Sequence, residues 1–221
     1  TRDLAVAYKP NMAFFESLGT QGFELLERLR QSVPPNVLFV MDAKRGDIGN
    51  TSQAYAKAFY ELLKSDGVTL SPYMGKDSIE PFLEYPGTCS FVLCLTSNPS
   101  SADFQLQVLQ SGEKLYERVA KTAVHWSNGK KGEVGLVVGA TQTQYLKDLR
   151  GLVPETIFLV PGVGTQGGDL QGVLKEARTK DGFGILVNVS RQILYASAEN
   201  DFADVAREQA QKLVKEMKEY F

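Results

Sequence analysis

The chain has 221 residues, of which 43% are hydrophobic and 23% charged, and a net charge of −2. This composition excludes an extensively disordered chain, and the weak charge gives no electrostatic steering towards nucleic acid or a membrane surface. No apolar run is long enough to span a bilayer, no signal peptide is visible, and Cys89 and Cys94 lack a metal spacing and read as buried thiols, so a cytosolic enzyme is the expectation.

In chain order, strands are expected at Leu4 to Tyr8, Val37 to Met41, Val68 to Ser71, Ser90 to Leu95, Val134 to Val138, Ile157 to Val160 and Gly184 to Val189. Amphipathic segments fall between them. Phe23, Leu26 and Leu29 mark the apolar face of the first, with Thr20 as its cap. Ala54, Ala58 and Leu62, with Tyr55 and Phe59, mark the second. Asp77 and Glu80 resemble a capping box. Leu115, Tyr116, Val119 and Ala120 belong to a longer helix that stops near Asn128-Gly129, where His125 and Trp126 read as packing or capping residues. Tyr145, Leu146 and Leu149 follow, then Leu170, Val173, Leu174 and Ala177. A final segment, about Glu199 to Phe221, repeats apolar residues at Phe202, Val205, Leu213 and Met217.

Alternating strands and helices imply a parallel sheet, either closed as a barrel or open and doubly wound. The expected fold is a (β/α)8 barrel filling residues 1–221 as one domain. Seven strands are visible against the eight a barrel needs, so one β/α unit is expected upstream of Thr1.

One strand carries the chemistry. The apolar run Val37 to Met41 leads directly into Asp42-Ala43-Lys44-Arg45-Gly46-Asp47. Side chains alternate along a strand, which puts Asp42 and Lys44 on one face. Charges beside a core strand are costly unless they pair or work. Two carboxylates around an ammonium suit a site that handles charge and a proton.

The second motif is Pro161-Gly162-Val163-Gly164-Thr165-Gln166-Gly167-Gly168-Asp169, between a strand and a helix. Gly162, Gly164 and Gly167 satisfy a dinucleotide fingerprint by spacing, but no carboxylate ends the next strand, which disfavours NAD. A single phosphate fits better. Glycine-freed amides near a helix N-terminus bind an anion, and Arg191, read as ending the following strand, offers a forked donor. Barrel enzymes often hold phosphate on the loops after their last two strands.

Asp42-x-Lys44-x-x-Asp47-Ile48-x-x-Thr51, the Pro161 to Gly168 stretch and Arg191 together closely resemble the orotidine 5′-phosphate decarboxylase family. Tyr8-Lys9-Pro10-Asn11 and Leu95-Thr96-Ser97-Asn98-Pro99 fit it as well, and Ala43-Lys44-Arg45-Gly46 resembles its type 2 branch. The resemblance implies decarboxylation of orotidine 5′-phosphate to UMP in de novo pyrimidine synthesis, with no metal and no cofactor. It makes Lys9, Asp42, Lys44 and Asp47 an alternating charged array. Lys44 would give a proton to C6, Asp42 would lie near the departing carboxylate, and Lys9 would contact the ribose. Asp47 would reach a partner subunit's site, so that with Ile48 and Thr51 it implies a homodimer. Ser97 would touch the pyrimidine, while Pro161, Gln166 and Arg191 would serve the phosphate end. A ribose-binding aspartate on the family's first strand has no counterpart here.

Three rivals stand beside this reading. Relatives acting on keto-sugar phosphates share the Asp-x-Lys-x-x-Asp segment but use magnesium. A Schiff-base aldolase needs a neutral lysine, which flanking carboxylates oppose. A phosphate-binding module without chemistry would bind a nucleotide and not turn it over.

Overall fold

A computed structural model describes residues 1–141, 143–164 and 167–221. Strands and helices alternate along the chain. The strands are β1 (Ala7–Tyr8), β2 (Leu38–Arg45), β3 (Gly67–Leu70), β4 (Cys89–Leu95), β5 (Glu133–Val138), β6 (Phe158–Pro161) and β7 (Ile185–Asn188). They follow one another in the sheet in chain order, and the β1–β2, β2–β3, β3–β4 and β6–β7 pairings are parallel. A doubly wound sheet reverses its order at a switch point. Sequential order is that of a β/α barrel, as the sequence leads one to expect.

Two compact units divide the chain. The first comprises Val6–Leu93 and Val119–Leu136. Its β1 is shorter than expected, because the Leu4 and Ala5 amides turn back onto the Thr1 carbonyl. Conversely, β2 runs on past Met41 to Arg45 and so contains the charged residues themselves. Phe39, Val40, Met41 and Asp42 are all buried, as a strand covered on both faces requires.

Helix α1 (Met12–Glu16) precedes α2 (Thr20–Ser32). Gly19, at φ 61°, stands at the N-cap of α2 where Thr20 was expected, and no side chain caps that helix. The buried face of α2 carries Gly22 and Leu26, while Phe23 is exposed. The cause is close packing: a Cβ on Gly22 would collide with the Phe15 carbonyl, so α2 turns its smallest residue towards α1.

Helix α3 (Gly49–Ala56) continues as a π-helix over Lys57–Leu62. The wider turn shifts the phase of the stripe. Ser52, Ala56, Phe59 and Tyr60 are buried, whereas Ala54 is exposed and Leu62 is 72% exposed, which corrects the expected Ala54–Ala58–Leu62 face. Asp77 and Glu80 do not form a capping box either. Short 3-10 turns occupy Lys76–Ser78 and Glu80–Glu84, and Glu80 pairs with Lys130 at 2.7 Å and Lys76 at 3.3 Å.

The second unit comprises Thr1–Ala5, Cys94–Arg118 and Val137–Phe221. Helix α4 (Leu115–Trp126), which runs on into the first unit, buries Tyr116, Ala120 and Ala123, and the chain leaves it through Gly129 at φ 74°. Helices α5 (Thr143–Leu152) and α6 (Leu170–Glu176) bury Leu146, Leu149, Leu170, Val173 and Leu174, as their spacing requires. A short helix α7 (Arg191–Leu194), absent from the sequence reading, follows β7. The last helix, α8 (Phe202–Lys218), fully buries only Ala210, and Phe202 is exposed. Cys89 and Cys94 are free thiols. Burial pushes both well above the usual thiol range, so neither is poised to react. Among the described residues, no helix is long and apolar enough to cross a membrane.

Candidate active site

Parallel pairing carries the ends of β1 and β2 to the same edge of the sheet. The Asp42 amide donates to the Pro10 carbonyl at 3.0 Å, and Asn11 and Asp42 form a parallel bridge just beyond β1. This fixes Lys9 beside Asp42 across 33 residues of chain. Lys9 Nζ lies 2.6 Å from Asp42 Oδ2, and Lys44 Nζ lies 2.5 Å from Asp42 Oδ1. One carboxylate thus bridges two ammonium groups. The Asp42 side chain is 10% exposed and that of Lys9 15%, whereas that of Lys44 is 48% exposed. The outermost cation is the one free to meet a ligand.

Electrostatics follows from this burial. Desolvation alone would raise the Asp42 carboxyl, but Lys9 and Lys44 outweigh it and hold the group below its ordinary range. Desolvation lowers Lys9, with Asp42 opposing that shift. The charged pair is kept because each ion finds its partner at hydrogen-bond distance.

Lys44 adopts φ 48°, a left-handed conformation that costs a residue with a Cβ about 1–3 kcal/mol. It sits in an irregularity of β2. Met41 pairs with Val68 and Arg45 with Leu70, so four steps along β2 match two along β3. Simple alternation is therefore not what brings Lys44 to Asp42. The bulge does so, much as such insertions re-aim side chains elsewhere. Arg45 beyond it forms an ion pair with Glu16 and lies over the Tyr55 ring at 5.2 Å.

Asp47 is not joined to this array. Its Oδ1 accepts the Ile48 amide at 2.8 Å. Ile48 and Thr51 are exposed at the start of α3.

The remaining candidates belong to the second unit. Ser97 follows β4 in a loop held by Gln105, whose Oε1 accepts the Thr96 amide at 2.7 Å while its Nε2 donates to Thr96 Oγ1 at 2.9 Å. Gly139, after β5, passes so close that a Cβ there would lie 2.7 Å from the Ser97 nitrogen. Neither Gln105 nor Gly139 was singled out by sequence: Gln105 closes a nine-residue loop that carries no periodic signal, and Gly139 approaches Ser97 from a later strand end.

The glycine turn begins at Pro161, the last residue of β6. Gly162, Gly164 and Gly167 all have positive φ, and the Gly168 amide closes the turn onto the Gly162 carbonyl at 3.0 Å. Helix α6 is capped by its own Asp169, which accepts the Gln171 amide at 3.0 Å. The helix terminus invoked for an anion is therefore already served by a carboxylate, leaving the turn amides. Gln166 lies outside the described residues. Arg191 does not end a strand but opens α7, with its side chain exposed. Its neighbour Gln192 reaches the glycine turn so closely that a Cβ on Gly164 would collide with Gln192 Oε1. Only a glycine at that position leaves room for Gln192.

Residues 2–219 match the sequence profile of the orotidine 5′-phosphate decarboxylase / HUMPS family. The chain is 46% identical over 221 residues to an orotidine 5′-phosphate decarboxylase of Christiangramia forsetii, covering 98% of this chain and 79% of that protein. The solved structure of Leishmania donovani OMP decarboxylase superposes with a TM-score of 0.86 at 41% identity, covering 99% of this chain and 83% of that one. Leishmania donovani UMP synthase gives 0.87 at 43% identity, covering 96% of this chain but 47% of that chain, so this chain spans about half its length. With a sequential parallel sheet, a Lys–Asp–Lys array at the ends of its first strands and relatives this similar over nearly its whole length, the chain belongs to the orotidine 5′-phosphate decarboxylase / HUMPS family.

Proposed function

We propose that the protein decarboxylates orotidine 5′-phosphate to UMP in pyrimidine synthesis, without a metal or cofactor. The observation that carries this reading is the Lys9–Asp42–Lys44 chain of alternating charges, with Lys44 outermost. The name shared by the curated relatives supports it.

The reaction breaks the bond between C6 and the carboxylate and leaves an electron pair on C6. An ammonium at that position stabilises the developing carbanion and then donates its proton, acting first as a charge and then as an acid. Lys44 takes that role. Asp42 lies near the departing carboxylate and orients both lysines, while Lys9 contacts the ribose. Ser97 reads the pyrimidine, and Pro161, Gln166 and Arg191 serve the phosphate. Phosphate contacts remote from C6 supply binding energy that aligns the reacting end.

Asp47, Ile48 and Thr51 are proposed to serve a second copy of the chain in a homodimer. In support, Asp47 stands outside the array of its own chain, and Ile48 is 48% exposed beside the start of α3. The site of action is the cytoplasm.

The test is conversion of orotidine 5′-phosphate with excess chelator present, followed by loss of orotate absorbance and identification of UMP. Turnover that disappears in Lys44→Ala supports the assignment. A folded protein that leaves the nucleotide unchanged, yet acts on a keto-sugar phosphate once magnesium is added, overturns it.

A further inference from the structure

Thr69 lies in β3, a strand buried along its whole length, and the residue itself is 1% exposed. A hydroxyl in such a place must find partners. It finds three. Thr69 Oγ1 accepts the Ala43 amide at 3.0 Å and the Lys44 amide at 2.9 Å, and it donates to Asp42 Oδ1 at 3.1 Å. A hydroxyl has two lone pairs and one proton, so its capacity is filled. No capacity is left over for a ligand or for proton transfer.

These bonds coincide with the irregularity in β2. Between Met41 and Arg45 the ladder to β3 is interrupted, and there the consecutive Ala43 and Lys44 amides, which a regular strand would point to opposite neighbours, both turn to Thr69. The Thr69 side chain takes both. It thereby supports the left-handed backbone of Lys44 and, through its own proton, fixes the Asp42 oxygen that Lys44 Nζ contacts.

We infer that Thr69 is a positioning residue for the decarboxylation, locking the β2 bulge so that the Lys44 ammonium and the Asp42 carboxylate keep one relative geometry. The inference rests on the proposed role of Lys44 as proton donor.

Thr69→Val is nearly isosteric and removes only the polar partner. Thr69→Ser keeps the hydroxyl and loses a methyl group. With orotidine 5′-phosphate as substrate, Thr69→Val is expected to lower kcat about 100-fold, as a misplaced reacting group does, with KM changed by less than about threefold. Thr69→Ser should recover kcat to within about fivefold of the parent. A purely structural role would not split kcat from KM, and the serine variant shows whether the hydroxyl rather than the methyl group carries the effect. Hydrogen exchange at the Ala43 and Lys44 amides gives a readout independent of turnover. Both amides should exchange at least tenfold faster in folded Thr69→Val than in the parent, and should stay protected in Thr69→Ser. Unchanged kcat, or unchanged exchange at both amides in a folded Thr69→Val, overturns the inference. If the parent protein itself fails to turn over the nucleotide, the proposed function falls, and amide exchange alone judges whether Thr69 holds the bulge.

Discussion

Asp42 is the residue on which the candidate site depends, because both lysines are satisfied by its two oxygens. Removing its charge leaves Lys9 as a largely buried ammonium with no anion beside it. Asp42→Asn is expected to destabilise the fold by about 3 kcal/mol, near the lower end for breaking a buried pair, measured by the shift of the denaturant midpoint at pH 7. The pH dependence follows from the lowered folded-state carboxyl. An unfolded aspartate titrates near about 3.9, so below that value the unfolded chain binds the proton and the folded chain resists it. The stabilisation from Asp42 is therefore present above pH of about 4 and disappears as pH falls through the folded-state value. The stability gap between parent and Asp42→Asn should narrow in that acid window. A gap constant from pH 7 down to pH 3 would contradict the pairing.

Among elements, β2 and the turn after α5 show how single side chains replace missing backbone partners. In β2 the substitute is the Thr69 hydroxyl. Near α5 it is Arg150, whose guanidinium donates to the carbonyls of Val153, Pro154, Thr156, Ala177 and Gly184 and lies 3.9 Å from the Phe158 ring centroid. Ala177 ends α6, so one residue ties together the ends of two helices and the approach to β7. Burial lowers the Arg150 group to about 10, which leaves it charged at neutral pH. A lysine has three donors and no planar fork, and cannot reach five carbonyls at once. Arg150→Lys should cost about 2–3 kcal/mol, the range for losing charged hydrogen bonds, read from urea unfolding. A midpoint equal to that of the parent would show that water satisfies those carbonyls just as well.

At the scale of the whole molecule, the proposed dimer makes a separate prediction. Ile48 is 48% exposed, and Tyr73 and Met74 in the turn after β3 are 90% and 48% exposed. In a twofold interface each substitution is met twice. Ile48→Glu would place two uncompensated carboxylates at that contact, so the variant should sediment as a monomer at micromolar concentration and lose most of its decarboxylase activity. An active monomer, or an Ile48→Glu variant that remains dimeric and fully active, would remove Asp47 from the shared role proposed for it.

The seven strands, the order of charges through Asp42 and Lys44 and the family itself were legible in the sequence. Apolar runs and turn residues report local burial, and the motifs lie within short stretches of chain. Helices α5 and α6 were legible for the same reason: their stripes keep a regular period. The faces of α2 and α3 were not, because Gly22 packs against α1 and a π-turn shifts the phase of α3, and neither event changes the sequence period. The left-handed Lys44, the Thr69 hydroxyl beneath it and the Gln105 brace on the Ser97 loop were decided only in the folded chain. The first two depend on hydrogen bonds between strands 25 residues apart in the chain, which exist only once the strands have chosen their register, and the third on a loop closing over nine residues with no periodic signal in the sequence.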